Sequence, residues 1–196
     1  VIALKGCELT TEVLRIGYGQ QAFPMTEEDG EVCWYQTTGR AVFLNCEMHV
    51  SRSLRKRLDR QDLEVTFDCD FEGVMRACFR EEGNWLSDDF VRVYGEAHRE
   101  GWGHSCEVWR EKQLVGGVYG LAIGGCFCAE SMFHREPNMS KIALYFLLKK
   151  CHELGFHYVD AQIMNSHLAS LGCVMVSESE RVQMWRRSQT ISPVWI

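Results

Sequence analysis

Asp160 and Gln162 stand in the short run Tyr158-Val-Asp-Ala-Gln-Ile163, where a buried strand would be apolar throughout. Residues two apart in a strand project to the same face. The alternation therefore predicts that both side chains address one place while Val159 and Ala161 point elsewhere. Burying a carboxylate and an amide is costly unless they are paired or used. Asn165 and His167 follow at once, in a stretch that reads as a loop, a short helix and a glycine stop at Gly172. For His167, a loop-fixing hydrogen bonder and a proton shuttle are both open readings.

Other residue patterns offer less. His152-Glu-Leu-Gly-Phe-His157 superficially resembles His-Glu-x-x-His, but its histidines are five apart and Gly155 ends the helix, so they cannot share the face that zinc needs. Cys126 and Cys128 alternate correctly for one sheet face but have no second pair. None of the ten cysteines is plainly partnered with a histidine, and no Cys-x-x-Cys occurs. Neither a metal nor a cofactor is expected. Several cysteines lie in apolar segments, where cysteine serves as a small buried hydrophobe. With no signal-peptide layout at the N-terminus, reduced thiols and a cytoplasmic protein are expected.

The elements that must position Asp160 and Gln162 follow from caps, periodicity and breakers. Thr10 caps a helix that leaves through Gly17 and Gly19, and short strands are expected at Val32–Tyr35 and Arg40–Leu44. Ser51 caps a basic helix reaching Leu58. Residues 63–68 alternate as a strand, and 70–79 form an amphipathic helix with Phe71, Val74, Met75 and Cys78 on one face. A helix over 87–99 carries Phe90, Val91, Tyr94 and His98. Strands over 104–109, 113–123 and 126–133 make a meander, and a long helix over 140–154 stops at Gly155. The Asp160 strand, a short helix, a strand over 173–176 and a polar tail complete the chain.

This order predicts an α/β (α+β) layered sheet, the arrangement of the N-acetyltransferase-like acyltransferase fold, with the working loop where strands splay. Two units are expected, a small N-terminal domain over 1–38 and a catalytic domain over 39–196.

The 196 residues carry a formal net charge of −6, with 46% hydrophobic and 24% charged residues. That is the composition of a soluble globular chain. No run approaches the roughly 18 apolar residues of a membrane span, so no membrane partner is expected. Charge is unevenly spread. Residues 49–60 hold Arg52, Arg55, Lys56, Arg57 and Arg60 against Asp59 alone, a net +4 that leaves −10 for the remainder. A basic stripe on an acidic body can be a phosphate footprint or simply a solvated helix face.

A set of collinear motifs narrows these readings. Met48-His-Val-Ser-Arg-Ser53, Glu81-Glu-Gly-Asn-Trp85, the Tyr94 helix, Leu114-Val-Gly-Gly-Val-Tyr-Gly120, Glu130-Ser-Met-Phe133, Asn138-x-Ser-Lys141, Asp160-x-Gln162 and His167-x-Ala-Ser-Leu-Gly172 occur in that order. Together, from about Gly17 to Val176, they resemble the leucyl/phenylalanyl-tRNA–protein transferase family. The resemblance implies transfer of an apolar aminoacyl group, Leu or Phe or also Met, from charged tRNA to the N-terminal α-amine of proteins that begin with Arg or Lys. Such transfer creates an N-degron and needs no coenzyme. It implies catalytic roles for Asp160, Gln162 and Glu130. It also implies an apolar donor pocket at Val118, Phe127, Leu147 and Cys151, and aromatic contacts to the aminoacyl-adenosine end from Trp85 and Tyr94. Met25, Asn165 and His167 join the substrate-binding set, and the stripe Arg52, Arg55, Lys56, Arg57 and Arg60 would meet tRNA phosphates. A monomer is expected.

Departures from the family pattern concentrate at the donor end. The family's Phe-Pro-Trp is here Phe23-Pro24-Met25, and its Trp-Trp-Ser-Pro turn is Trp34-Tyr35-Gln36-Thr37. Two rivals are an N-acyltransferase using acetyl-CoA and a non-catalytic binder of tRNA or basic N-termini. The first would use a glycine-rich loop ahead of the long helix, but residues 135–141 contain no glycine and include Pro137. The second would be favoured by loss of Asp160 or Gln162, and both are present.

Overall fold

Two sheets of unequal size share one apolar core. The structure is a computed structural model that describes residues 2–6, 8–27, 29–79 and 86–196. The chain opens with strand β1 (Ile2–Lys5), helix α1 (Thr11–Gly19), β2 (Phe23–Thr26) and β3 (Val32–Tyr35), the three strands forming an antiparallel sheet in the order β1-β3-β2. The Thr10 side chain accepts a hydrogen bond from Val13 N, the cap its sequence predicts.

A seven-stranded sheet follows. Its strands are β4 (Arg40–Leu44), β5 (Glu64–Phe67), β6 (Gly103–Arg110), β7 (Gln113–Ile123), β8 (Cys126–His134), β9 (Tyr158–Gln162) and β10 (Val174–Val176). Their spatial order is β10-β4-β9-β8-β7-β6-β5. Every pairing is antiparallel except β8 with β9, and the connection between these two passes through the long helix α5 (Met139–Leu154). A parallel pair needs such a crossover. The expected mixed α/β layering is therefore present.

One face of this sheet packs on α5 and on α2 (Arg52–Leu58) through Val118, Phe127, Val159, Leu144, Leu147 and Leu54. The other face packs on α3 (Phe71–Ala77) and α4 (Asp88–Arg99) through Phe71, Val74, Phe90, Tyr94 and Tyr119. Leu14 and Tyr18 of α1 and Trp34 of the first sheet join that second cluster. The change of sheet thus falls between Tyr35 and Arg40, yet one core runs through both. Gly116 explains how closely α5 approaches: a Cβ there would lie 2.5 Å from the Met139 Cβ.

The tail differs from the expectation. Instead of an irregular polar segment, residues Glu178–Ser188 form helix α7. Ser177 and Glu180 make a reciprocal capping box at its start, and Trp185 is buried. That signal is local, and the polar composition of the segment obscured it.

Candidate active site

Strands β8 and β9 pair over three rungs only, the last being Cys128 opposite Asp160. Beyond that rung they part, and a cleft of about 640 Å³ opens between them. Glu130 and Gln162 face each other across the opening, with Gln162 Nε2 donating to Glu130 Oε1 at 3.0 Å. Two β-bulges put them there. In β8 the pairing with β7 slips between Ala129 and Ser131, leaving Glu130 as the extra residue. In β9 the pairing with β4 slips between Asp160 and Gln162 around Ala161. Bulges re-aim side chains where a regular strand could not.

The simple alternation is therefore not what brings Asp160 and Gln162 together. Gln162 has φ +62°, a left-handed conformation that costs an L-residue roughly 1–2 kcal/mol. Its backbone N–H donates to Asp160 Oδ1 at 2.8 Å, which offsets part of that strain. Backbone strain of this kind is concentrated at functional sites.

Asp160 is 5% exposed, and its partner is a residue that sequence reasoning missed. Arg40, 2% exposed at the start of β4, gives its Nε to Asp160 Oδ2 at 2.8 Å and to Oδ1 at 3.1 Å. The only signal was an arginine heading the apolar run Arg40-Ala-Val-Phe. Burial opposes the charge on Arg40, but Asp160 outweighs it and holds the guanidinium above its ordinary pKa. With its charge met by Arg40, Asp160 contributes little net negative charge to the cleft.

Glu130 supplies that charge instead. Burial pushes its pKa up to about 7, helped by the nearby Asp160 carboxylate and opposed by hydrogen bonds from Tyr18 and Gln162. Tyr94 donates to Glu130 Oε2 at 3.4 Å, and the Tyr18 and Tyr94 hydroxyls are 2.8 Å apart. Burial raises the pKa of both phenols well above the ordinary value, so both stay protonated as donors.

Of the expected substrate contacts, Met25, Val118, Asn165 and His167 line the cleft with Glu130 and Gln162. Asn165 also caps helix α6 (Ser166–Ser170) by accepting from Leu168 N at 2.8 Å. His167 has its pKa lowered, by burial first and then by Lys141 and His134, so its ring is neutral at pH 7. Phe127, Leu147 and Cys151 are not in the cleft wall. All three are 0% exposed in the core beneath α5. Positions 144, 147 and 151 share one helix face, and of these three only Leu144 reaches the cleft. Met132 is a second lining residue that was not singled out.

Tyr94 also departs from its expected role. Its ring is 0% exposed, stacked near Phe90 and edge-on to Tyr119, so no base can lie against it. What it reaches is Glu130, through its hydroxyl. Trp85 and its motif lie outside the described residues.

Four cations of the basic stripe lie on α2 and Arg60 just past its end, with Arg52, Arg55, Lys56 and Arg60 exposed. Arg57 is half-buried and paired with Asp62 at 2.7 Å. The approach to α2 is tied to the cleft wall, since His49 N donates to the carbonyl of Leu171 just past α6.

The cleft thus presents an amide on a strained backbone and a carboxylate with a pKa of about 7, with no cysteine among the described lining residues. The comparisons with known proteins give the class, acyl-transferring enzymes. Residues 42–186 match the family model described as "Leucyl/phenylalanyl-tRNA protein transferase". A leucyl/phenylalanyl-tRNA–protein transferase of Shewanella halifaxensis (strain HAW-EB4) is 40% identical over 183 residues, 91% of this chain and 78% of that protein. One of Hahella chejuensis (strain KCTC 2396) is 40% identical over 179 residues, 89% of this chain and 76% of that protein. Among solved structures, L-PGS from Bacillus licheniformis aligns with a TM-score of 0.48 at 13% identity, over 79% of this chain and 65% of that one. The chain belongs to the leucyl/phenylalanyl-tRNA–protein transferase family. The family's activity is aminoacyl transfer, with an aminoacyl-tRNA as donor and a protein as acceptor.

Proposed function

We propose that the cleft between β8 and β9 receives the aminoacyl end of leucyl- or phenylalanyl-tRNA together with the N-terminal α-amine of a protein that begins with Arg or Lys. The amine nitrogen attacks the ester carbonyl carbon, a C–N bond forms, and the ribose oxygen leaves with a proton. No covalent enzyme intermediate is needed, because an α-amine with a reference pKa of about 7.7–8.0 is partly neutral at pH 7. The product is a protein with an apolar N-terminal residue, an N-degron.

The observation that carries this reading is the division of labour on Gln162. Its backbone N–H is committed to Asp160 and its Nε2 to Glu130. Its Oε1 is left as the acceptor for an amine N–H, at an angle fixed from both ends. Asp160 is then a positioning residue held by Arg40, and Glu130 is the anion that meets the cationic acceptor terminus. Donor side chains would lie against Met25, Val118, Met132 and Leu144. Phosphates of the acceptor stem would meet Arg52, Arg55, Lys56, Arg57 and Arg60, contacts that position a tRNA without reading its sequence.

The turn that precedes α5 supports transfer without coenzyme A, since Glu136 there is ion-paired with Arg110 and Pro137 lacks an N–H. No described helix is long and apolar enough to cross a membrane. A cytoplasmic monomer with 1–38 as an accessory domain completes the proposal.

One experiment tests it. Peptides beginning with Arg or Lys are mixed with leucyl-, phenylalanyl- or methionyl-tRNA, and in a parallel tube with acetyl-CoA. The expected result is the gain of one leucyl or phenylalanyl mass on the peptide. A gain only from acetyl-CoA, or none from any donor, would overturn the reading.

A further inference from the structure

Beneath the splay, beside Asp160, lies a pair of thiols that the transfer reaction leaves unused. Cys126 and Cys128 project to the same face of β8, and Asp160 stands opposite Cys128 on the adjoining strand. The three ligand atoms lie within 4.8 Å of one another, and the residues are 0%, 2% and 5% exposed. We propose that Cys126, Cys128 and Asp160 form an inhibitory site for a thiophilic divalent cation, Zn²⁺ foremost, that withdraws Asp160 from the catalytic network.

Distance, charge and access support the site. The two sulfurs are 3.8 Å apart. Zinc–sulfur bonds of about 2.3 Å at a tetrahedral angle put two thiolates about 3.8 Å apart, so the ion fits without moving either side chain far. Two thiolates and a carboxylate carry three negative charges, which the ion and the Arg40 guanidinium balance in full. Arg40 touches both oxygens of Asp160, so one oxygen can turn to the metal while the other keeps its hydrogen bond. A ligand carboxylate held from behind in this way is a common second layer of metal sites. For access, Cys128 and Asp160 form the last rung before β8 and β9 part, and the strands open on the cleft immediately beyond.

Binding converts two thiols to thiolates and releases two protons, with no change of oxidation state. Because both thiols must lose a proton to bind, occupancy increases with pH. An ion on Asp160 draws its Oδ1 away from the Gln162 N–H and releases the strained residue on which transfer depends. This inhibitory effect rests on the proposed function above; the binding itself does not.

The test uses the full chain, reduced, carrying Cys69→Ser to remove an exposed competing thiol. Zinc should be retained at one ion per chain, and its X-ray absorption spectrum should show two sulfur neighbours at about 2.3 Å with oxygen completing the shell. Cys128→Ser should weaken retention by at least about a hundredfold, since even outer-layer partners account for 10–100-fold. Added Zn²⁺ should suppress aminoacyl transfer in the Cys69→Ser protein, reversibly with chelator, and leave the Cys69→Ser/Cys128→Ser protein active. Absence of retained zinc, or a shell without two sulfurs, would show that the thiols share only an S–H···S contact and would overturn the site. Retained zinc with transfer unaffected would overturn the inhibition. Should Cys128→Ser fail to fold, the absorption spectrum of the parent protein still decides. A protein that transfers nothing would refute the proposed function and leave the zinc measurement intact.

Discussion

Arg40 and Arg55 carry the same guanidinium on opposite terms. Arg40 is buried, its Nε is shared between both oxygens of Asp160, and its charge is answered in full before any substrate arrives. Arg55 stands exposed on α2 beside Arg52 and Lys56, and among the described residues only Arg57 of the five-cation stripe is in an ion pair. A buried pair gains its strength from low dielectric and loses heavily if one partner is removed. An exposed cation is worth little to the fold and remains free for a polyanion. The polar cluster around Asp160 is thus built to hold geometry, and the stripe to hold a charge in reserve.

The sharpest way to break this contrast is to remove each arginine. Arg40→Met should lower unfolding stability by about 3–5 kcal/mol, because Asp160 is left buried and unpaired. Arg55→Met should stay within about 0.5 kcal/mol. Denaturant melts of the two variants check the pair, and equal losses would erase the distinction.

Asp160→Asn comes next in size. It keeps an acceptor for the Gln162 N–H but loses the charge that anchors Arg40. Transfer to an Arg-starting peptide should fall on the order of a hundredfold, the effect of a misplaced reacting group. Unchanged single-turnover rates would remove Asp160 from the machinery.

Glu130 sharpens the comparison through pH. Its folded-state pKa, about 7, lies above its ordinary 4.5. The folded protein therefore binds the extra proton, and Glu130's contribution to stability is full below pH 4.5 and is lost as pH rises through 7. Relative to Glu130→Gln, the unsubstituted protein should lose stability across that window. Catalysis runs the other way, because the ionised carboxylate attracts the cationic acceptor. The ratio of kcat/KM for the two proteins should rise with pH through about 7, a ratio that cancels the acceptor amine's own titration. A flat ratio would contradict the assignment.

On the exposed side, Arg55, Lys56 and Arg57 replaced by Ala should reduce the salt slope of tRNA binding by about one unit for each phosphate no longer neutralised. Filter-binding titrations over a range of salt report it. The smallest effect concerns the apolar wall. Val118→Phe narrows the cleft and should shift the preference between phenylalanyl- and leucyl-tRNA toward leucine by about tenfold, the scale of a packing difference in a pocket. Competition between the two donors in one tube measures that ratio.

Much of this site was legible in the chain. Asp160 and Gln162 declared themselves as polar residues in an apolar strand, and Glu130, Asn165 and His167 followed from the ordered motifs. The donor wall was only partly legible. Leu144, Leu147 and Cys151 repeat on one apolar helix face, and periodicity cannot say which turn meets a cleft and which meets the core. Leu144 lines the cleft, whereas Leu147 and Cys151 are sealed. Tyr94 misled in the same way, since a helix position does not reveal whether a ring is stacked against protein or open to a ligand.

By itself, the sequence determined the features that depend on near neighbours. These are the caps at Thr10, Ser51 and Asp70, the left-handed stop at Gly155, and the alternation that makes the strands. They are local because a hydrogen bond three residues away, or a side-chain period, is already written into the chain. Tertiary structure alone decided that Arg40 meets Asp160 across 120 residues, that Tyr18 reaches Tyr94, and that two bulges turn Glu130 and Gln162 toward each other. Those meetings depend on strand order and register, which shift a side chain by a whole face for each residue of slip.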